Sequence, residues 1–143
     1  MREGLVSIIT PTYNCGRYIG RTIDSVLAQT YENWEMIIID DRSTDDTRAV
    51  VNEYVAKDRR IKYFLLDENS GAAAARTKAM ELADGEYMAF LDSDDIWLPE
   101  KLRLQLEFMK ENGYAFTCTA YEQIDEEDTL IQIEINSTMR VRT

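Results

Sequence analysis

The chain has 143 residues, a length that fits one domain built on a single sizeable core. Its hydrophobic and charged fractions, 45% and 30%, are ordinary for a globular protein, and no apolar stretch approaches the roughly 20 residues needed to span a bilayer. A formal net charge of −11 argues against nonspecific nucleic-acid binding and against electrostatic docking to anionic lipid, so an anionic ligand requires a bridging cation, although a local basic patch is compatible with the total. There is no His, which removes the commonest general base and metal ligand. Catalysis then rests on carboxylates, Tyr, Lys or a hard, oxygen-ligated metal.

Apolar β-prone runs alternate with segments of helical period, the pattern of βαβ units and a largely parallel sheet. The chain opens on "GLVSIIT" (Gly4–Thr10), too short for a signal-peptide core, so a cytoplasmic protein with Cys15 and Cys118 reduced is expected. Ile19, Ile23, Val26 and Leu27 recur at helical spacing and predict a sheet-covering helix from about Tyr18 to Gln29. The second strand is "WEMIIID" (Trp34–Asp40), followed by a capping-box-like Ser43 to Asp46 and a helix carrying Val50, Val51, Tyr54 and Val55. "IKYFLLD" (Ile61–Asp67) is the third strand, and an alanine-rich helix from about Gly71 to Ala83 stops at Asp84-Gly85. "EYMAFLD" (Glu86–Asp92) is the fourth strand. A fourth helix follows, with Pro99 in its first turn, Leu102, Leu106 and Met109 on one face, and Gly113 closing it. Beyond it "YAFTCTAYEQI" and "LIQIEI" alternate like strands about the turn "DEED", the opening of a hairpin or meander.

In open parallel sheets, ligands bind outside the carboxyl ends of the strands. The segments there are "TPTYNCG", "DDRSTDD", "DENSGAAAAR" and "DSDDIW", all on one rim. In the last, three carboxylates fall within four positions. Two unit charges about 4 Å apart repel by roughly 4 kcal/mol at an effective dielectric near 20, so the cluster needs compensation. Asp92 and Asp94 project to one side of an extended segment, where they can share Mg²⁺ or Mn²⁺ with water and substrate phosphate. Capping of the following helix accounts for one carboxylate, not three.

Of the pair Asp40-Asp41, one is available as a structural residue and the other as an acceptor for an N–H donor such as a pyrimidine imide. Tyr13 offers a flat face for stacking, although taken alone it reads first as an ordinary partly buried aromatic; Pro11 and Asn14 make a stiff turn around it. Small residues from Gly71 onward leave backbone N–H groups free to face phosphate at a helix start, without matching a dinucleotide or Walker-type loop. Arg76 reads as a partner for phosphate, for a rim aspartate, or for solvent.

Taken in order, "VSIITPTYNCGRYIGRTIDSVLAQTYENWEMIIIDDRSTDDT" and "NSGAAAARTKAMELADGEYMAFLDSDDIWLPEKL" resemble the nucleotide-sugar-binding half of the family 2 glycosyltransferases. The resemblance implies an α/β GT-A (Rossmann-like) fold for residues 1–143, a mostly parallel sheet flanked by helices. It implies a nucleotide site built from Pro11, Thr12, Tyr13, Asn14, Asp41, Gly71, Arg76, Asp92 and Ser93. In it the turn of Pro11 and Tyr13 resembles a uracil-stacking wall, and Asp41 the carboxylate that accepts the base N–H. Asp92-Ser93-Asp94 resembles the DXD motif, with Asp94 a ligand of Mn²⁺ or Mg²⁺ and Asp92 on metal or ribose.

The implied reaction moves a sugar from a UDP-sugar to an acceptor hydroxyl with inversion. The acceptor is a saccharide, a lipid-linked glycan or a protein, with peripheral membrane association if it is lipid-linked. The base and acceptor site are expected after the hairpin near Leu130, beyond residue 143, so a chain cut short on its acceptor side is expected. Thr77 departs from the "ARN" of many relatives. A nucleotidyltransferase is disfavoured by the missing glycine-rich basic loop after "IITPTYN", and a haloacid-dehalogenase-like phosphatase by the late position of D-x-D and by Trp97. A non-catalytic Mg²⁺-binding α/β module is the remaining alternative.

Overall fold

Runs of β-branched and apolar residues make the sheet, and the helices between them run back across it. The computed structural model describes residues 1–125, 127 and 129–131. The strands are β1 (Arg2–Thr12), β2 (Trp34–Asp40), β3 (Ile61–Leu65) and β4 (Gly85–Phe90). The helices are α1 (Gly16–Leu27), α2 (Thr47–Val55), α3 (Ala72–Glu81) and α4 (Lys101–Asn112). The four strands form one sheet in the order β3-β2-β1-β4, every pairing parallel, so all four carboxyl ends lie on one edge. Among the described residues no helix is long and apolar enough to cross a membrane.

The centre of the sheet is buried on both faces, as parallel strands require, while Met88 and Phe90 of the edge strand β4 are about half exposed. Alternation divides β2, whose seven residues are all buried, between the two layers. Trp34, Met36 and Ile38 pack with Ile19, Ile23 and Val26 of α1, Val51 of α2, and Leu102 and Leu106 of α4, while Ile37 and Ile39 pack with Ala75 and Ala79 of α3. Each isoleucine so enclosed contributes about 1.5–3 kcal/mol of burial free energy. The alanines of α3 let its backbone lie close to the sheet. Gly85 serves a similar end: a Cβ there would sit 2.7 Å from Leu5 O and Ser7 N, so only glycine brings the start of β4 this close to β1.

Several expectations need correction. The box from Ser43 to Asp46 does not form. Arg42 takes a positive φ of 72° and turns Ser43 away, and Asp45 instead accepts the N–H of Thr47 at the helix start (3.0 Å) as well as that of Gly16 (3.0 Å). Asp84-Gly85 is not the stop of α3, which ends at Glu81, because Gly85 already belongs to β4. Pro99 precedes α4 rather than entering its first turn. Gly113 does close α4, left-handed at φ 66°, with Tyr114 N–H bonded to Met109 O at 3.0 Å. The alternation of "YAFTCTAYEQI" yields a strand only at β5 (Gln123–Ile124), which pairs antiparallel with β6 (Leu130–Ile131). Tyr114, Phe116 and Tyr121 are exposed, and no strand among the described residues offers them a ladder. The rest of "LIQIEI", past Ile131, lies outside the described residues.

Candidate functional site

The carboxyl edge of the sheet opens into a cleft of about 380 Å³. One wall is the end of β1 with Pro11, Thr12 and Tyr13, then Cys15 and Asp41. The floor is Asn69, Gly71, Ala72, Ala75 and Arg76, and the far wall is Asp92, Ser93 and Asp94. Four βα turns distant in sequence thus supply it. Asn14 is the one expected nucleotide-site residue that does not line the cleft. It sits at φ 49°, its N–H donates to Ser43 Oγ (2.9 Å), and its Oδ1 accepts the N–H of Thr44 (2.8 Å), which ties the β1 and β2 turns together. Cys15, Asn69, Ala72 and Ala75 line the cleft without having been singled out; all four sit inside the rim segments, which was their only signal.

The Asp40-Asp41 pair divides its labour by geometry. Asp40 is fully buried and accepts Tyr63 O–H at 2.6 Å and Ser43 N–H at 2.7 Å, so it is the structural member. Asp41 turns to the cleft, where its two oxygens accept the N–H groups of Ser70 (2.6 Å) and Gly71 (2.8 Å). It thereby holds the turn before α3, whose Gly71 has φ 87° and ψ 161°, backbone torsions open to glycine alone. Each carboxylate oxygen has a second lone pair for a ligand donor. Tyr13, about half exposed, presents its ring beside it, and Thr12 Oγ1 is a buried hydroxyl with no partner among the described residues, an orphan in the cleft wall.

At the far wall Arg76 donates to Asp92 Oδ1 at 2.5 Å, with both side chains partly exposed. Asp94 is exposed and has no hydrogen-bond or ion-pair partner among the described residues. Partial burial, then the charges of Asp94 and Asp92, push the neighbouring Asp95 carboxyl upward, as expected where carboxylates crowd without a counterion. Among the described residues no group of three or more His, Cys, Asp or Glu is arranged to hold a metal. The donor set still suits Mg²⁺ or Mn²⁺, whose shells take one or two carboxylates and fill the rest with water and phosphate oxygen.

Such an edge cleft, with an aromatic and a carboxylate facing an acidic turn, defines an α/β protein that takes its ligand where parallel strands end. The chain belongs to Glycosyl transferase family 2, whose family model matches residues 7–142. TuaG of Bacillus subtilis (strain 168), which carries the name of a teichuronic acid biosynthesis glycosyltransferase, is 54% identical over 125 residues, covering 87% of this chain and 50% of TuaG. The fold is that of the GT-A glycosyltransferases. Residues 1–349 of Staphylococcus aureus TarS, solved in complex with UDP, superpose with a TM-score of 0.71 at 35% identity, over 76% of this chain and 32% of that one. The mannosyltransferase PcManGT from Pyrobaculum calidifontis, solved with GDP-Man and Mn²⁺, gives a TM-score of 0.66 at 28% identity, over 73% and 32%. The chain thus spans half the length of TuaG and about a third of each solved neighbour. The family and fold expected from the sequence are both borne out.

Proposed function

We propose that this chain carries the donor side of a glycosyltransferase that takes a UDP-sugar and passes the sugar, with inversion, to an acceptor hydroxyl. The observation that carries the reading is one cleft holding two unlike walls: Tyr13 and Asp41 at one side, Asp92 and Asp94 at the other. The first suits a pyrimidine base, stacked on the Tyr13 ring with its imide N–H donated to Asp41. The second suits a diphosphate with a divalent cation, for which Asp94 and Asp92 are the carboxylate ligands. When bound, the cation offsets the charge that grows on the departing diphosphate.

Thr12 in the first wall and Ser93 in the second add hydroxyls to the cleft, and the start of α3 lines the same space as Arg76, which can exchange Asp92 for phosphate. These residues account for donor binding, and none of them is assigned as the base that deprotonates the acceptor. The acceptor is a saccharide, free or linked to lipid or protein. The named role of TuaG in teichuronic acid biosynthesis supports a cell-surface polysaccharide. Free Cys15 and Cys118 fit a reducing, cytoplasmic setting.

The test is a calorimetric titration of the chain with UDP, with and without Mn²⁺, and with ADP as competitor. Metal-dependent UDP binding that is lost in Asp94→Asn and weakened in Asp41→Ala supports the reading. Folded protein that does not take up UDP at any Mn²⁺ concentration refutes it in favour of a metal-binding α/β module.

A further inference from the structure

A helix that only covers a sheet places apolar residues on its inner face. The α1 helix does so with Ile19, Ile23 and Val26, yet it also buries Thr22 and Ser25, and Gln29 just past its end, at 0%, 7% and 5% exposure. Their spacing, i, i+3 and i+7, puts the three on one face. Each bonds the irregular backbone that follows β4. Thr22 Oγ1 donates to Ser93 O at 2.9 Å. Ser25 Oγ accepts Trp97 N–H at 3.2 Å and donates to Thr22 O at 2.7 Å. Gln29 grips two groups at once, its Nε2 donating to Leu98 O at 2.8 Å and its Oε1 accepting Leu102 N–H at 3.1 Å. The last bond also serves one of the orphan N–H groups at the start of α4, which has no side-chain cap of its own.

We propose that Thr22, Ser25 and Gln29 are positioning residues that fix the acidic turn of Asp92 and Asp94 for the nucleotide diphosphate and its cation. The inference rests on the donor-site reading above. Its basis is where the stripe takes hold: the Ser93 carbonyl lies in the peptide leading to Asp94, and Ser93 itself stands between the two carboxylates. Within the turn Asp95 N–H bonds Asp92 O at 3.1 Å and Arg76 pairs with Asp92, but no side chain among the described residues bonds Asp94, so the stripe adds the tie that opposes spreading of the repelling aspartates. The polar stripe replaces apolar packing at three positions and supplies fixed partners to a loop whose backbone has no ladder. The two carboxylates thereby keep their spacing before any ligand arrives, which lowers the ordering cost of binding.

Thr22→Val keeps the side-chain shape and removes the hydroxyl; Thr22→Ser keeps the hydroxyl. With UDP titrated in the presence and absence of Mn²⁺, Thr22→Val should weaken Mn²⁺-dependent binding by about threefold to tenfold, the scale of one lost hydrogen bond. Metal-free UDP binding should not change, and Thr22→Ser should recover the loss. Gln29→Met, which removes three bonds, two of them to the segment after β4 and one to Ser25 O, should weaken Mn²⁺-dependent binding further. Equal weakening with and without Mn²⁺, or no recovery in Thr22→Ser, overturns the proposal.

Amide hydrogen exchange supplies a ligand-free readout. The amides of Asp94 to Trp97 should exchange faster in Thr22→Val than in wild type or Thr22→Ser, and unchanged exchange overturns the positioning role. If the wild type itself ignores UDP, the donor-site reading fails separately, and the exchange data still decide whether the stripe holds the turn.

Discussion

Replacing Tyr63 with Phe removes one oxygen atom from the edge strand and tests the whole nucleobase side of the cleft. That hydroxyl lies 2.6 Å from Asp40 Oδ2, and Asp40 is fully buried. From Asp40 the bonds continue to Ser43 N–H at 2.7 Å, from Ser43 Oγ to Asn14 N–H at 2.9 Å, and from Asn14 Oδ1 to Thr44 N–H at 2.8 Å. The relay spans both left-handed residues of the rim, Asn14 and Arg42, and so holds the turns that carry Tyr13 and Asp41. A hydrogen bond to a charged acceptor is worth about 1.5–3 kcal/mol, and the variant strands a buried carboxylate oxygen. For a chain of this size each kcal/mol moves the midpoint by about 3 °C, so Tyr63→Phe should melt about 5–9 °C lower by circular dichroism.

The pH profile sharpens this prediction. Burial first, then the hydrogen bond and charge of Asp40, push the Tyr63 hydroxyl well above its ordinary value of 10.0, against a smaller downward pull from Arg48. A raised acid contributes fully below its unfolded value and loses that contribution as pH climbs through the folded one. The gap between wild type and Tyr63→Phe should therefore stay constant through neutral pH and narrow only above about pH 10. A stability difference under about 0.5 kcal/mol, within the range of ordinary surface changes, would refute the relay.

Two other perturbations probe opposite ends of the sheet. Glu35 is nearly fully buried and accepts Ser7 O–H at 2.6 Å, Asp84 N–H at 2.9 Å and the Lys62 ammonium at 2.7 Å. Burial raises its carboxyl, but the three donors outweigh burial and hold it below the ordinary 4.5. Its contribution is therefore complete above that pH and lost as pH falls through the lowered value. Glu35→Gln should flatten the acid limb of urea-unfolding stability below about pH 4.5, and an unchanged slope there counts against the assignment. At the cleft, Arg76→Met frees Asp92 Oδ1 from its ion pair, so Mn²⁺ alone should bind roughly threefold more tightly, a modest gain because both partners are partly exposed. Calorimetry showing equal or weaker Mn²⁺ binding would mean that Asp92 faces away from the cation.

What could be read from the sequence divides along physical lines. Apolar runs such as "WEMIIID" announce strands buried on both faces, because burial selects β-branched residues directly, and β2 is buried from end to end. The rim residues Tyr13, Asp41, Arg76 and Asp94 were recoverable once the strands were in place, since a parallel sheet sends every carboxyl end to one edge. Hydrogen bonds between distant segments were not. Thr22 is 71 residues from Ser93, and helical periodicity records only that position 22 departs from the apolar stripe, not what it bonds. The capping box failed for a related reason: spacing identified Ser43 as the cap, but the left-handed turn at Arg42 put Asp45 at the helix end. Alternation in "YAFTCTAYEQI" misled because a period of two specifies a strand only where a neighbour supplies backbone partners, and residues 114–122 have no strand partner among the described residues.

The strand order has a consequence for when this protein becomes competent. Because β4 docks beside β1 and not beside β3, the two walls of the cleft are synthesised roughly fifty to eighty residues apart and meet only when the fourth strand of the sheet docks. A partially folded β1–β3 assembly therefore holds Tyr13 and Asp41 in place and still lacks Asp92 and Asp94. Any molecule that bridges both walls recognises only the completed sheet, and by mass action it stabilises that state over every earlier one.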